Sequence, residues 1–186
     1  MRSKLLLTYL IPLVCITGAA NSAEQNQDIE ELKWFAEHGH PVAQYNLGVM
    51  YANGKGVEEN DAEAVKWFRL AAAQGDLQAQ LSLGFILGTG KGVAEDDSEA
   101  VKWYRMAAKQ GDAQGQFNLG VMYFNGEGVP QDLDKAYVWL SLAAGKGNRE
   151  AAANKAIIEQ RLSPEQLAHA LEQARGCMQS GYHDCD

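Results

Sequence analysis

The chain has 186 residues, 46% of them hydrophobic, and 16 basic against 24 acidic side chains give a formal net charge of −8. That length and apolar content suit one ordinary domain or one short repeat array with a continuous core. So acidic a balance repels a phosphate backbone and excludes a nucleic-acid partner.

At the N-terminus, Arg2 and Lys4 precede an apolar run from Leu5 to Ile16, and Gly18, Ala19, Ala20, Ser22 and Ala23 follow. Residues 1–23 therefore have the layout of a secretory signal peptide. The run is short for a bilayer span and contains Pro12, so cleavage is expected rather than anchoring, with no membrane span afterwards. Val14 stands where a lipid-modified cysteine at Cys15 would need a small neighbour. Removing the leader takes away two cations and no acid, moving the charge to −10, and leaves Cys177 and Cys185 as the only cysteines.

Residues 24–40 follow as a capping helix, with Ile29, Leu32, Trp34 and Phe35 apolar and Gly39 as its stop. Then comes a segment written three times. AQYNLGVMYANGKGV from Ala43 returns as AQLSLGFILGTGKGV from Ala79 and GQFNLGVMYFNGEGV from Gly115. Gly39, Gly75, Gly111 and Gly147 lie 36 residues apart, so the units are 41–76, 77–112 and 113–148. A period in this range marks a helical solenoid.

In each unit's first block, apolar residues recur three and four apart, as at Ala43, Leu47, Met50 and Tyr51, which is a helix with one buried face. Gly48, Gly84 and Gly120 interrupt these helices at a cost of about 1 kcal/mol each relative to alanine, so a neighbouring helix is expected to approach there. Paired glycines at Gly54 and Gly56, Gly90 and Gly92, and Gly126 and Gly128 end them. Lys91 is followed by Gly92, not by Ser or Thr, so these loops are not phosphate-binding loops.

The second helix opens at an acceptor, Asn60, Asp96 or Asp132. Glu63 and Glu99 stand in capping-box position in the first two units, and Lys135 leaves only the cap in the third. Trp67, Trp103 and Trp139 share a face with paired alanines, and their identical phase points to packing between helices rather than to a ligand cage. Residues 149–176 supply C-terminal capping helices. The last starts at Ser163, Pro164 and Gln166 and is expected to stop at Gly176.

Residues 177–186 form a tail that the Cys177 and Cys185 pair is expected to close as a disulfide in an oxidising compartment. His183 beside Asp184 raises zinc or redox chemistry as the alternative. Seven intervening residues fit neither pattern, so neither metal nor cofactor is expected.

The pattern A-Q-aromatic-N-L-G-x-M-Y, then G-x-G-V, then A-x-x-W-x-x-x-A-A-x-Q-G closely resembles the Sel-one-like repeat, a relative of the tetratricopeptide repeat, over residues 41–147. The resemblance implies an all-α, right-handed superhelical solenoid of antiparallel helix pairs. It also implies an exported, non-catalytic protein-protein interaction scaffold, periplasmic or secreted, and a monomer is expected. One exported branch, rich in cysteine, is linked to binding or hydrolysis of penicillins, which makes a weak penicillin-binding or β-lactamase-like protein the alternative. That branch carries a cysteine pair in nearly every repeat, whereas these repeats carry none.

No G-x-S-x-G occurs, and no serine is followed three positions later by lysine, so the usual acyl-transfer nucleophile is missing and no catalytic residue is assigned. His38, His40 and His169 show no ligand spacing. The first helices are expected to line the concave side, where residues of equal phase form ladders. In the tetratricopeptide register, Tyr45, Leu81 and Phe117 make one ladder, Val49, Phe85 and Val121 a second, and Asn46, Ser82 and Asn118 lie beside them. Such a strip suits a partner protein or an extended peptide. The competing reading places these aromatic positions in the core.

Overall fold

The computed structural model describes residues 22–185, so the leader lies outside the described residues except for its last two positions, and Asp186 lies outside them as well. Among the described residues the secondary structure is entirely helical. An N-terminal helix, α1 (Ser22–Glu37), precedes three pairs: α2 (Pro41–Asn53) with α3 (Asp61–Ala73), α4 (Leu77–Thr89) with α5 (Asp97–Lys109), and α6 (Ala113–Asn125) with α7 (Leu133–Gly145). Helices α8 (Arg149–Glu159) and α9 (Pro164–Gln179) complete the chain. Each pair packs on itself and then on the next, the stacking of a superhelical solenoid.

Local chemistry sets the helix ends. Asn60, Asp96 and Asp132 accept from the backbone N–H three residues on and open the second helices. The expected capping boxes do not close at Glu63 and Glu99, because the Asn60 and Asp96 N–H groups already donate to the Tyr51 and Leu87 carbonyls, and Glu63 pairs with Lys66 while Glu99 faces Arg69 and Trp103. Among the described residues the one reciprocal box is at α9, between Ser163 and Gln166. The last residues of the preceding units, Asp76, Asp112 and Asn148, cap α4, α6 and α8 in the same way. Gly54, Gly90 and Gly126 then close the first helices in the left-handed conformation.

Inside the pairs, the helix-interior glycines are sites of close approach. A Cβ on Gly48, Gly84 or Gly120 would lie 2.7, 2.6 or 2.8 Å from the side chain of Phe68, Tyr104 or Leu140, respectively. A large residue of each second helix thus rests on the backbone of the first, which offsets the propensity cost. Alanines make the rest of the seam: Ala64, Ala71, Ala72, Ala100, Ala107, Ala108, Ala136 and Ala143 are all fully buried. Trp139 is fully buried, and Trp67 and Trp103 pack half-buried against the core.

A polar ladder threads the same seam. Gln44, Gln80 and Gln116 are buried, and each donates to the carbonyl eight residues earlier, near the end of the preceding helix. Gln74 and Gln110 donate in turn to the side-chain oxygens of Gln44 and Gln80. In the third unit that place belongs to Lys146, which reaches the Gly111 carbonyl and stands 4.4 Å from the Tyr182 ring. Gln116 Oε1 has no hydrogen-bond partner among the described residues.

The C-terminal end is built differently. Helix α9 lies against α7 instead of pairing with α8 as α3 pairs with α2, and it runs through Gly176, the expected stop, to Gln179. A disulfide joins Cys177 to Cys185 with 4.7 Å between their Cα atoms, and both residues are buried.

Candidate functional site

The nine residues expected to face a partner sit on α2, α4 and α6. Tyr45, Leu81 and Phe117, with Val49 and Val121, are half-buried and lean on the core. Tyr45 stacks at a tilt on Phe68, 5.7 Å between ring centroids. Phe85 differs, with 55% of its surface exposed. Asn46 is exposed, while Ser82 and Asn118 are half-buried.

Four of the nine are brought together. Phe85, Phe117, Asn118 and Val121 line a cavity of about 190 Å³ between α4 and α6. The other five, Tyr45, Asn46, Val49, Leu81 and Ser82, do not line it. A water molecule's share of the liquid is roughly 30 Å³, so the space holds several waters or one long side chain.

The remaining lining residues escaped the ladder argument: Gly88 and Thr89 at the end of α4, Asp97 and Tyr104 of α5, Met122 of α6, and Glu127 in the loop beyond it. Tyr104 is the floor. Its ring rests on Gly84 and its hydroxyl is hydrogen-bonded to Asn118. Burial pushes the phenol up to about 12, partly offset by the Asn118 bond, so it stays neutral and serves as a polar handle. Gln114 donates to Asn118 Oδ1 at 2.8 Å and fixes that amide from the other side.

The signal for these residues was present as departures from the repeat. Tyr104 stands where the other units have Phe68 and Leu140, and Glu127 where they have Lys55 and Lys91. Ladders drawn along the first helices alone could not include them. The arrangement provides apolar walls, an amide and a phenol, with carboxylates at the rim. Among the described residues, no group of three or more His, Cys, Asp or Glu side chains is placed to hold a metal ion.

Residues 41–76, 77–112 and 113–148 each match the Sel1 repeat. The chain belongs to the Sel1 repeat family. Among solved structures it is similar to a Sel1 repeat protein from Oxalobacter formigenes, with 39% identity and a TM-score of 0.63 over 69% of this chain and 97% of that one. A protective antigen of uropathogenic Escherichia coli strains, displaying an SLR fold, is 42% identical with a TM-score of 0.65 over 68% of this chain and 27% of the antigen. An exopolysaccharide production negative regulator of Rhizobium meliloti (strain 1021) is 40% identical over 58 residues, and the match spans 22% of that regulator. Cysteine rich protein B of Helicobacter pylori, 18% identical with a TM-score of 0.54, shares the fold. The Sel1 repeats make the chain a member of a scaffold-like family that is generally non-catalytic.

Proposed function

We propose that this Sel1 repeat protein is an exported adaptor that holds a partner protein or an extended peptide along the concave side of its first helices. The observation that carries the reading is Phe85, a large apolar side chain exposed at the mouth of a cavity whose polar groups are already oriented. Exposed aromatics beside a preformed cleft are the usual anchors of protein recognition, and a stack of helix pairs supplies a rigid base for them. The signal-like leader and the Cys177–Cys185 disulfide support export, since disulfides persist in oxidising compartments. The Rhizobium meliloti relative, a regulator by name, supports a binding role, and the exopolysaccharide itself is not proposed as this chain's concern.

The test replaces Phe85 and Phe117 with alanine and compares partner crosslinking in native cells, read by mass spectrometry, with thermal stability. Partner crosslinks lost from a variant that still unfolds cooperatively are expected. Stability lost with capture unchanged would place both rings in the core and sink the groove.

A further inference from the structure

The groove between the second and third units differs from its counterpart one unit earlier in the residues that matter for charge. Shifting the lining back by one period replaces Gly88 with Ala52, Tyr104 with Phe68, Asn118 with Ser82 and Glu127 with Lys91, while Asp97 becomes Asp61. The earlier junction therefore carries one acid and one base at these places. The later one carries two acids, and among the described residues its lining contains no lysine, arginine or histidine.

Among the described residues, neither carboxylate is held in a helix cap or an ion pair. Asp97 is the first residue of α5, but the cap is made by Asp96, which accepts from the Glu99 N–H at 2.8 Å. The helix N-terminus favours an anion at Asp97 without consuming it. Glu127 accepts a single hydrogen bond, from Asn125 Nδ2 at 3.0 Å. No ion pair engages either residue among the described side chains. Gly88 keeps the wall of α4 open toward Asp97, since a Cβ added there would stand 3.7 Å from Asp97 Oδ1.

We propose that this groove takes a lysine or arginine side chain from an extended segment of a partner protein. Its stem lies between Phe85, Phe117 and Val121, and its cationic head meets Asp97 and Glu127. The inference rests on the groove reading above and deepens it. A long basic side chain is the residue type with an apolar stem and a charged tip, which is the order of chemistry this cavity presents. The exposed Phe85 ring adds a face for the cation. A purely apolar occupant would strip water from two carboxylates without replacing it, and an acidic one would add like charge.

The experiment selects binders for the full mature chain from a display library of random short peptides, then measures each against variants. Selected peptides are expected to share a Lys or Arg at one fixed position, and to weaken roughly tenfold or more against Asp97→Asn combined with Glu127→Gln. Glu127→Lys, which copies Lys91, keeps an exposed loop position and should move selection away from basic residues. Peptides whose binding is lost in Phe85→Ala but that show no basic preference would overturn the cation inference and leave the groove standing. Binders indifferent to Phe85→Ala, or no binders at all, would overturn both.

Discussion

The first two units and the third are written in the same pattern but end up in different surroundings. Helices α3 and α5 keep an uncovered outer side, with Lys66 and Lys102 exposed and Leu70 and Met106 left 49% and 41% exposed. At the matching places α7 carries Val138 and Leu142, both buried, and Leu142 is only 3% exposed. The difference is α9, which lies on α7 and, among the described residues, has no counterpart on α3 or α5. A solenoid buries its faces by repetition, so its last unit must be covered by something outside the repeat. The same end also pays in polar groups: Gln116 Oε1, Trp139 Nε1 and Ser141 Oγ, all in the third unit, lack partners among the described residues. Trp103 Nε1 donates to Glu99, whereas Lys135 holds that place before Trp139 and cannot accept.

The largest expected effect breaks this comparison directly. Val138→Lys restores the residue of the first two units where α7 is now covered, leaving an unpaired buried cation, and should cost about 3–5 kcal/mol in urea unfolding. Met106→Lys, at an open position of α5, should stay within about 0.5 kcal/mol. Equal costs would mean that α9 does not seal α7. A smaller effect separates two glycines. Gly84→Ala drives a methyl against the Tyr104 ring and should destabilise by about 1–2 kcal/mol net of its helix-propensity gain. Gly145→Ala, with nothing within 4 Å, should stabilise by up to about 1 kcal/mol. A neutral Gly84→Ala would show that Tyr104 yields, and the floor of the groove with it.

Most of the fold was legible because the 36-residue period repeats each structural duty. The glycines of the first helices, the Asn60 and Asp96 caps and the tryptophan phase all read correctly from one unit to the next. What escaped depends on contacts that periodicity cannot express. Glu63 and Glu99 had the spacing of capping boxes, yet their carboxylates found Lys66 and Arg69 instead. Gly176 carried a stop signal, but α9 continues through it into the disulfide, where burial of Cys177 outweighs local propensity. The candidate site was half legible. Phe85, Phe117, Asn118 and Val121 follow from the ladder, while Asp97, Tyr104 and Glu127 come from the neighbouring helix and a loop and required the three-dimensional stacking.

The smallest effect concerns the ion pair that distinguishes the first two units from the third. Arg69 donates to both carboxylate oxygens of Glu99 across the unit boundary, and in the third unit the corresponding residue is Lys135. The Arg69 hydrogen bonds, helped by Trp103, hold the Glu99 carboxyl below its ordinary value of 4.5. On the acid side of that value the unfolded chain takes up a proton that the folded chain resists. The contribution of the pair is therefore fully present above about pH 4.5 and is lost as pH falls through the depressed folded value. Because both partners are partly exposed, the loss on Glu99→Gln should be only about 0.5–1 kcal/mol at neutral pH. Urea unfolding should show that gap narrowing steadily below the ordinary carboxylate range. A gap that persists unchanged in acid would mean that Glu99 acts through hydrogen bonds the amide cannot reproduce and not through its charge.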